Sequence, residues 1–240
     1  MYTIFKKELT TFFSNATAYI VIGIFLTITG LLLWLIPGEY NIIDNGYANV
    51  DGLFYLAPWL FLFLCPAITM RFFAEEKQTG TWELLITKPF SMTQIAVGKY
   101  LAGWLLVLIA LLPTILYYFT VAYLAEPVGN IDAGAFWGSF IGLVFLAAIY
   151  IAIGTFASTL SNNQIIAFIV AIVLSLFFFY GFELITSFFS NAEWIQTIEQ
   201  FGINAHYKSI SRGVIDSRDV VYFIGLSAAF LVATVYKLKK

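Results

Sequence analysis

The stretch AGAFWGSFIGLVFLAAIYIAIGTFASTLSNNQIIAFIVAIVLSLFFFYGF, residues 133–182, contains 50 consecutive residues without a charged side chain. A transmembrane helix needs roughly 20 apolar residues, so this run is too long for one such helix. A polar cluster at 161–164, Ser-Asn-Asn-Gln, divides the run near its middle. The stretch therefore predicts two neighbouring transmembrane helices joined by a short polar turn.

Four other uncharged runs have the length of one span each. The whole chain is 61% hydrophobic and 11% charged, whereas soluble domains are about half apolar and about a quarter charged. In lipid, a run of this length can satisfy its own backbone hydrogen bonds only as a helix. The runs also lack the alternation of apolar and polar residues that is typical of barrel strands. We therefore predict an all-α polytopic membrane protein, one domain over residues 1–240. Its six spans are expected at about 18–36, 53–70, 100–124, 136–158, 165–187 and 219–236.

The lysines and arginines predict the orientation, because cytoplasmic segments carry an excess of them. With a cytoplasmic N-terminus, nine of the twelve basic residues lie on the cytoplasmic side. The other three, Lys208, Arg212 and Arg218, share one outer loop, 188–218. Both termini are therefore predicted to be cytoplasmic.

The N-terminal segment 1–15 has the pattern of an amphipathic helix lying in the membrane interface. At about 100° per residue its apolar side chains share one face, and Lys7 lies on the opposite face. The apolar face consists of Tyr2, Phe5, Leu9, Phe12 and Phe13. Phe5, Lys6, Lys7 and Leu9 are the candidate contact residues of this interface helix.

Three glycines, Gly134, Gly138 and Gly142, recur at every fourth position at the start of the fourth span. Such a face without side chains allows another helix to approach closely. The pattern fits helix packing within the chain, and it also fits a seam between two copies.

The outer loop 188–218 is expected to be structured. A capping box at Ser190–Glu193 followed by apolar residues predicts one short helix that ends at Gly202. The single histidine, His206, is expected in a wet interface. Glu183 either has a substrate or proton role, as intramembrane carboxylates often do, or lies at the headgroups where the fifth span ends.

The longest predicted cytoplasmic segment is 71–99, which we call the elbow. Its sequence predicts one helix that ends at Gly80, a second that Thr81 caps and Pro89 stops, and a capping box at Ser91 that starts the third span. A helix–turn–helix of this kind offers carboxylates and apolar side chains to a cytosolic partner. The alternative is a solvated loop whose charges only fix the topology.

The run RFFAEEKQTGTWELLITKP, residues 71–89, resembles the elbow of ABC-2 type permeases, the membrane subunits of a class of ATP-driven exporters. KKEL, residues 6–9, is similar to their interface helix, and SRGVIDSRDVVYF, residues 211–223, to their entry into the sixth span. The resemblance implies a bacterial inner-membrane protein whose interface helix and elbow bind a cytosolic ATP-binding subunit, which holds the ATP and magnesium. The coupling residues that it implies are Glu75, Glu76, Thr81, Trp82, Glu83 and Leu85.

Within that family the chain looks most like the permease subunits of gliding-motility-associated transporters. This narrower resemblance implies that the membrane core contains a second copy of the chain or a second membrane subunit. It does not indicate the cargo.

The chain itself is not predicted to be an enzyme or to hold a cofactor. The nearest match to a phosphate-binding loop, TQIAVGKY at 93–100, has Thr93 in place of the first glycine and Tyr100 in place of the Ser or Thr that follows the lysine. One histidine and one cysteine do not suffice for a metal site of those ligands, and no nucleic-acid partner is expected. The alternative function is a membrane scaffold that recruits a cytosolic or motility component, and an intramembrane enzyme has no supporting motif.

Overall fold

The computed structural model describes residues 1–189 and 192–239, and every regular element in this part of the chain is helical. Six helical segments are long and apolar enough to cross a membrane. The predicted all-α polytopic class with six spans is therefore confirmed. The α-helices are α1 (Tyr2–Ser14), α2 (Thr17–Gly30), α3 (Asp51–Thr69), α4 (Ala74–Gln78), α5 (Thr81–Ile86), α6 (Met92–Leu111), α7 (Ile115–Leu124), α8 (Ala133–Leu160), α9 (Gln164–Leu176), α10 (Phe182–Thr186), α11 (Ala192–Glu199), α12 (Ile203–Ile210) and α13 (Ser217–Leu238).

The helix of the third span begins at Met92, as the capping box at Ser91 predicts. The uncharged run at about 100–124 is only its later part, and α6 also contains Lys99, the charge before that run. The helix continues through the charge because the Lys99 side chain is buried rather than placed at a polar boundary. The third span then passes through a 3₁₀ turn, Leu112–Thr114, where Pro113 cannot continue the α-helical hydrogen bonding, and ends as α7.

The fourth span, α8, is the centre of the bundle. Of its most apolar window, 78% is buried within the chain, against 22% for the fifth span, Gln164–Thr186, and for α13. The helices α3, α9 and α13 pack directly against α8. Most residues in the apolar windows of the fifth span and α13 therefore lie outside the core of this chain. We call the end of the bundle that carries α1, α4 and α5 the elbow end, and the opposite end, which carries α11 and α12, the loop end.

The loop end contains two helices where the sequence predicted one. After α11, Gly202 begins a second helix, α12, which buries Ile203, Tyr207 and Ile210 at i, i+4 and i+7. The predicted capping box begins at Ser190, which lies outside the described residues. The hydroxyl of Tyr207 donates a hydrogen bond of 2.9 Å to the carbonyl of Phe54. That carbonyl lacks its usual helical donor because residue i+4 is Pro58, so α12 repairs the break in α3.

Two of the three predicted stripe glycines are in contact with this second helix. A Cβ added at Gly138 would lie 2.7 Å from the carbonyl oxygen of Ile210, and one at Gly142 would lie 3.2 Å from the Tyr207 ring. A Cβ at Gly134 would meet only the carboxylate of Asp132, at 3.3 Å. The chain thus uses the faces of Gly138 and Gly142 for its own packing.

His206 is less exposed than the sequence predicted. Its Nδ1 lies 2.6 Å from Oδ1 of Asp219 and its Nε2 lies 2.8 Å from the carbonyl oxygen of Gln200. Its ring stacks on Tyr222 with 3.9 Å between the centroids. The histidine therefore joins the turn between α11 and α12 to the start of α13, because Asp219 and Tyr222 both belong to that helix.

Candidate functional site

The elbow has the two short helices that its sequence predicts. Gly80 follows α4 with φ of +72°, a left-handed conformation that glycine adopts without strain, and the chain reverses there into α5. The capping box at Ser91 is present: Gln94 N–H donates to Ser91 Oγ at 3.2 Å, and Ser91 N–H donates to Gln94 Oε1 at 3.2 Å. The central turn of the elbow and its passage into α6 are thus fixed by local interactions.

Thr81 does not cap the second helix as predicted. It is the first residue of α5, and Gly80, which precedes it, has no side chain with which to cap. The Thr81 hydroxyl instead lies 2.9 Å from the hydroxyl of Thr79 and donates to the carbonyl of Glu76 at 3.4 Å. Thr81 therefore braces the turn between α4 and α5.

A groove of about 540 Å³ separates the interface helix α1 from the elbow. One wall is formed by α1 and includes Lys7 and Thr11, and the other by α4 and α5 and includes Glu75 and Leu84. We call it the elbow groove. It brings together the two segments that the sequence identified separately as candidate partner contacts.

Four charged side chains that line the elbow groove, Lys7, Glu8, Glu76 and Lys99, form one ion-pair network, which we call the charge cluster. Lys99 Nζ lies 2.9 Å from Glu8 Oε1 and 2.8 Å from Glu76 Oε1. Lys7 Nζ lies 3.2 Å from each of the same two carboxylate oxygens. The Lys99 side chain is only 1% exposed, so its ammonium depends on these two carboxylates in place of water.

The charge cluster joins three parts of the chain that are distant in sequence. Glu8 belongs to α1, Glu76 to α4 and Lys99 to α6. The helix α1 also lies directly on α6, because Gly98 has no side chain and leaves room for Ile4. A Cβ added at Gly98 would lie 3.1 Å from the Cβ of Ile4. The interface helix, the elbow and the third span are therefore fastened together.

The cluster favours the charged forms of Glu8 and Lys7. Burial by itself would raise the pKa of Glu8, but the ammonium groups of Lys99 and Lys7 outweigh that effect and hold this pKa below its ordinary value. Burial would lower the pKa of Lys7, but Glu8 and Glu76 outweigh it and raise that pKa. Both shifts mean that the folded state prefers the ionised groups.

Acidification is expected to release the interface helix. Because the pKa of Glu8 is lower in the folded state, its contribution to stability is complete above the ordinary glutamate pKa of about 4.5 and is lost as the pH falls through the folded value. A fluorophore on a Ser14→Cys variant should report release of α1 as the pH falls below the ordinary glutamate pKa, and labelling is selective because Cys65 is buried. In a Glu8→Gln variant the same transition should be absent, and an unchanged transition there would assign the effect to other carboxylates.

The predicted coupling residues divide into two groups. Glu76 is engaged in the charge cluster, and Trp82 is half-buried with its ring 5.6 Å from that of Phe73, so both act inside the chain. Glu83 is exposed, and Glu75 is half-buried on the groove wall. Leu85 is half-buried, whereas its neighbours Leu84 and Ile86 are 66% and 44% exposed.

The predicted contact residues of the interface helix are less buried than the face beside them. Phe5 and Leu9 are half-buried, and Lys6 is exposed. The buried face is instead Ile4, Glu8 and Phe12. Ile4, Glu8 and Phe12 follow one another at intervals of four residues, which places them on one face of the helix. A glutamate between two apolar residues on such a face indicates a buried carboxylate, and a buried carboxylate needs a cation beside it.

A second connection links the elbow to the centre of the bundle. Lys77 Nζ donates a hydrogen bond of 2.7 Å to the carbonyl oxygen of Thr159, one residue before the end of α8. The last carbonyls of a helix lack internal donors and carry its negative dipole end, so a lysine is favourable there. The helix α4 thus contacts α8 through Lys77 and α6 through Glu76.

Comparison with known families identifies the chain's relationship. The sequence matches the family described as ABC-2 family transporter protein over residues 36–207, which is 172 of its 240 residues. The match covers the elbow and four of the six spans. A search of curated proteins finds no significant match.

Proposed function

This chain belongs to the ABC-2 family of transporter proteins and is a membrane subunit of an ABC transporter, and from this premise we propose how it is driven. The elbow end lies in the cytoplasm, and a separate ATP-binding subunit docks on the elbow groove. ATP hydrolysis in that subunit moves the elbow, and the movement passes to the spans.

The observation that carries this proposal is the charge cluster. A docking surface on a flexible loop would absorb a displacement, whereas this elbow is fastened to α1 and α6 through Lys99 and to α8 through Lys77. A partner that displaces α4 therefore displaces three other helices with it. These connections support the proposal that the elbow acts as a lever, which transmits a movement of α4 to the spans. A loop whose charges only set the topology would not need them.

The exposed part of the elbow indicates the chemistry of the partner's contact surface. Glu83 offers an unburied carboxylate, and Leu84 and Ile86 offer apolar side chains on the same short helix. A complementary surface would carry a basic residue beside an apolar cavity, because opposite charges at the rim steer association while apolar contacts supply affinity.

The narrower parts of the proposal are supported by the sequence resemblance. They are a location in the bacterial inner membrane, a role in gliding motility, and a membrane core completed by a second copy or by a second membrane subunit. Six apolar spans in a chain of this length agree with half of a two-part membrane core.

The test is co-purification of the full chain in mild detergent, with mass spectrometry to identify an associated chain that carries a phosphate-binding loop. The variants Glu83→Lys and Leu84→Asp should each reduce the amount of that ATP-binding chain at least tenfold and lower the ATPase activity of the complex. The control is Glu39→Lys, an exposed acid at the loop end.

Three outcomes separate the possibilities. Loss of the ATP-binding chain from the elbow variants alone supports the proposal. Intact binding with unchanged ATPase activity would place the docking surface elsewhere. Recovery of partners without any ATP-binding chain would favour a scaffold.

A further inference from the structure

A second cavity, at the loop end, has features of a binding site. It has a volume of about 550 Å³ and lies between α3, the end of the fifth span and α12. Its walls include Tyr55 and Trp59 of α3 and Tyr180 at the end of the fifth span. We call it the loop-end pocket.

Two opposite charges line the loop-end pocket without satisfying each other. Asp51 and Arg212 both line it, and neither side chain has a hydrogen-bond or ion-pair partner among residues 1–189 and 192–239. A second pair beside them is already formed, with Lys208 Nζ 3.3 Å from Glu183 Oε1. Asn204 Nδ2 donates to the other oxygen of Glu183 at 2.7 Å. The pocket thus has no net charge but offers one free anion and one free cation.

The aromatic wall of the pocket is open to the side of the bundle. Tyr55 is 68% exposed and Trp59 is 46% exposed, although both lie within a membrane span. The Trp59 ring is 5.9 Å from that of Phe179 and 6.3 Å from that of Tyr180. Aromatic residues at the end of a span lie at the level of the lipid headgroups, so the pocket is accessible from the bilayer.

We propose that the loop-end pocket binds a phospholipid with a zwitterionic headgroup. The phosphate is held by Arg212 with help from Lys208, because a guanidinium suits phosphate oxygens. The headgroup amine lies against Asp51 and the face of Tyr55, where a cation is favoured. The acyl chains follow Trp59 and Phe179 into the membrane.

The charge pattern selects this occupant. An anionic lipid would satisfy Arg212 but leave Asp51 unpaired, and it would meet the carboxylate of Glu183. A soluble zwitterion would satisfy both charges but would leave the aromatic wall uncovered. Only an amphiphile with both signs in its head uses every feature of the pocket. The inference is independent of the ATP-driven mechanism proposed above.

The test measures binding of phosphatidylethanolamine to the full chain in detergent by native mass spectrometry across a lipid titration. We expect one saturable site that phosphatidylglycerol does not compete for. Arg212→Gln alone should weaken this binding about tenfold, the effect of one charge-assisted hydrogen bond, and Asp51→Asn with Arg212→Gln should weaken it further. The matched control is Glu39→Gln with Arg218→Gln, which removes an exposed pair of charges at the loop end but outside the pocket.

Each contrary result is informative. Equal binding of phosphatidylglycerol, or equal weakening in the control, would show general attraction of lipid to surface charge and overturn the site. Phosphoethanolamine binding as tightly as the lipid would overturn the assignment to a membrane lipid. Thermal unfolding of each variant checks its fold, and Arg212→Gln keeps the test decisive because the exposed Arg212 side chain has no hydrogen bond or ion pair to lose within residues 1–189 and 192–239.

Discussion

Replacing Lys99 with methionine is expected to lower the free energy of unfolding by about 3–5 kcal/mol, the usual result of removing one partner from a buried ion pair. The loss arises because Glu8 and Glu76 would then share a poorly solvated site with only the half-exposed Lys7 between them. Methionine preserves most of the side-chain volume, so the effect reports charge rather than a cavity. Thermal and denaturant unfolding in detergent would measure it.

The matched control is Lys88→Met, which removes an exposed lysine that also lines the elbow groove. It should change stability by less than about 0.5 kcal/mol, as surface substitutions do. The triple variant Glu8→Met, Glu76→Met and Lys99→Met should regain the lost stability, because an apolar replacement of a whole buried network is often neutral or better. A triple variant as unstable as Lys99→Met would show that the network is not the cause.

The triple variant should also separate stability from coupling, because its stability should recover while its transport-linked ATPase activity should not. If the cluster transmits force, the triple variant should fold and bind the ATP-binding subunit. Its apolar contacts would hold the same elements with less directional restraint, so transport-linked ATPase activity should fall. Wild-type activity in a stable triple variant would contradict the lever.

Substitution of Gly138 by alanine is expected to destabilise the protein by about 1–3 kcal/mol, the range for overpacking a fitted contact. The added Cβ would lie 2.7 Å from the Ile210 carbonyl oxygen and 2.8 Å from Gly213 Cα. Both are backbone atoms, so no side-chain rotation relieves the clash and α12 must move away from α8. The hydrogen bond from Tyr207 to the Phe54 carbonyl would weaken with it.

Gly134→Ala provides the comparison, since it lies on the same face of α8 and meets only the Asp132 carboxylate. Alanine is favoured over glycine in a helix by about 1 kcal/mol, so this variant should be neutral or more stable. Hydrogen exchange of residues 203–210 would rise in Gly138→Ala and stay unchanged in Gly134→Ala. Equal changes in stability at both positions would mean that helix propensity, rather than the close approach of α12, determines the effect of the substitution.

The features of the fold that the sequence predicts are those encoded locally. Span number follows from uncharged runs, and the turn at Gly80 and the cap at Ser91 each depend on residues within a few positions. The sequence does not predict the charge cluster, because Lys99 lies 23 and 91 residues from its two partners and a charge next to an uncharged run indicates the edge of a span. In a sequence, a charged residue exposed at the end of a span looks the same as a charged residue buried in the protein at that end.

The role of α12 was missed for a related reason. Its three apolar residues make a short stripe in an otherwise polar loop, and nothing nearby shows that they pack on a glycine face more than 60 residues earlier. The glycine pattern of α8 predicts a close approach, but it does not show which segment approaches. Only the tertiary structure shows that the glycines of α8 pack against the apolar stripe of α12.

The order of the charge cluster along the chain has a consequence for biosynthesis. Glu8 and Glu76 both leave the ribosome before Lys99, so two carboxylates destined for one poorly solvated site are made before the cation that neutralises them. Until the third span enters the bilayer, Glu8 and Glu76 have Lys7 but not Lys99 as a counter-ion within the charge cluster. Assembly of this end of the protein is therefore completed by insertion of the third span, and a nascent chain arrested before that point should expose both segments to protease.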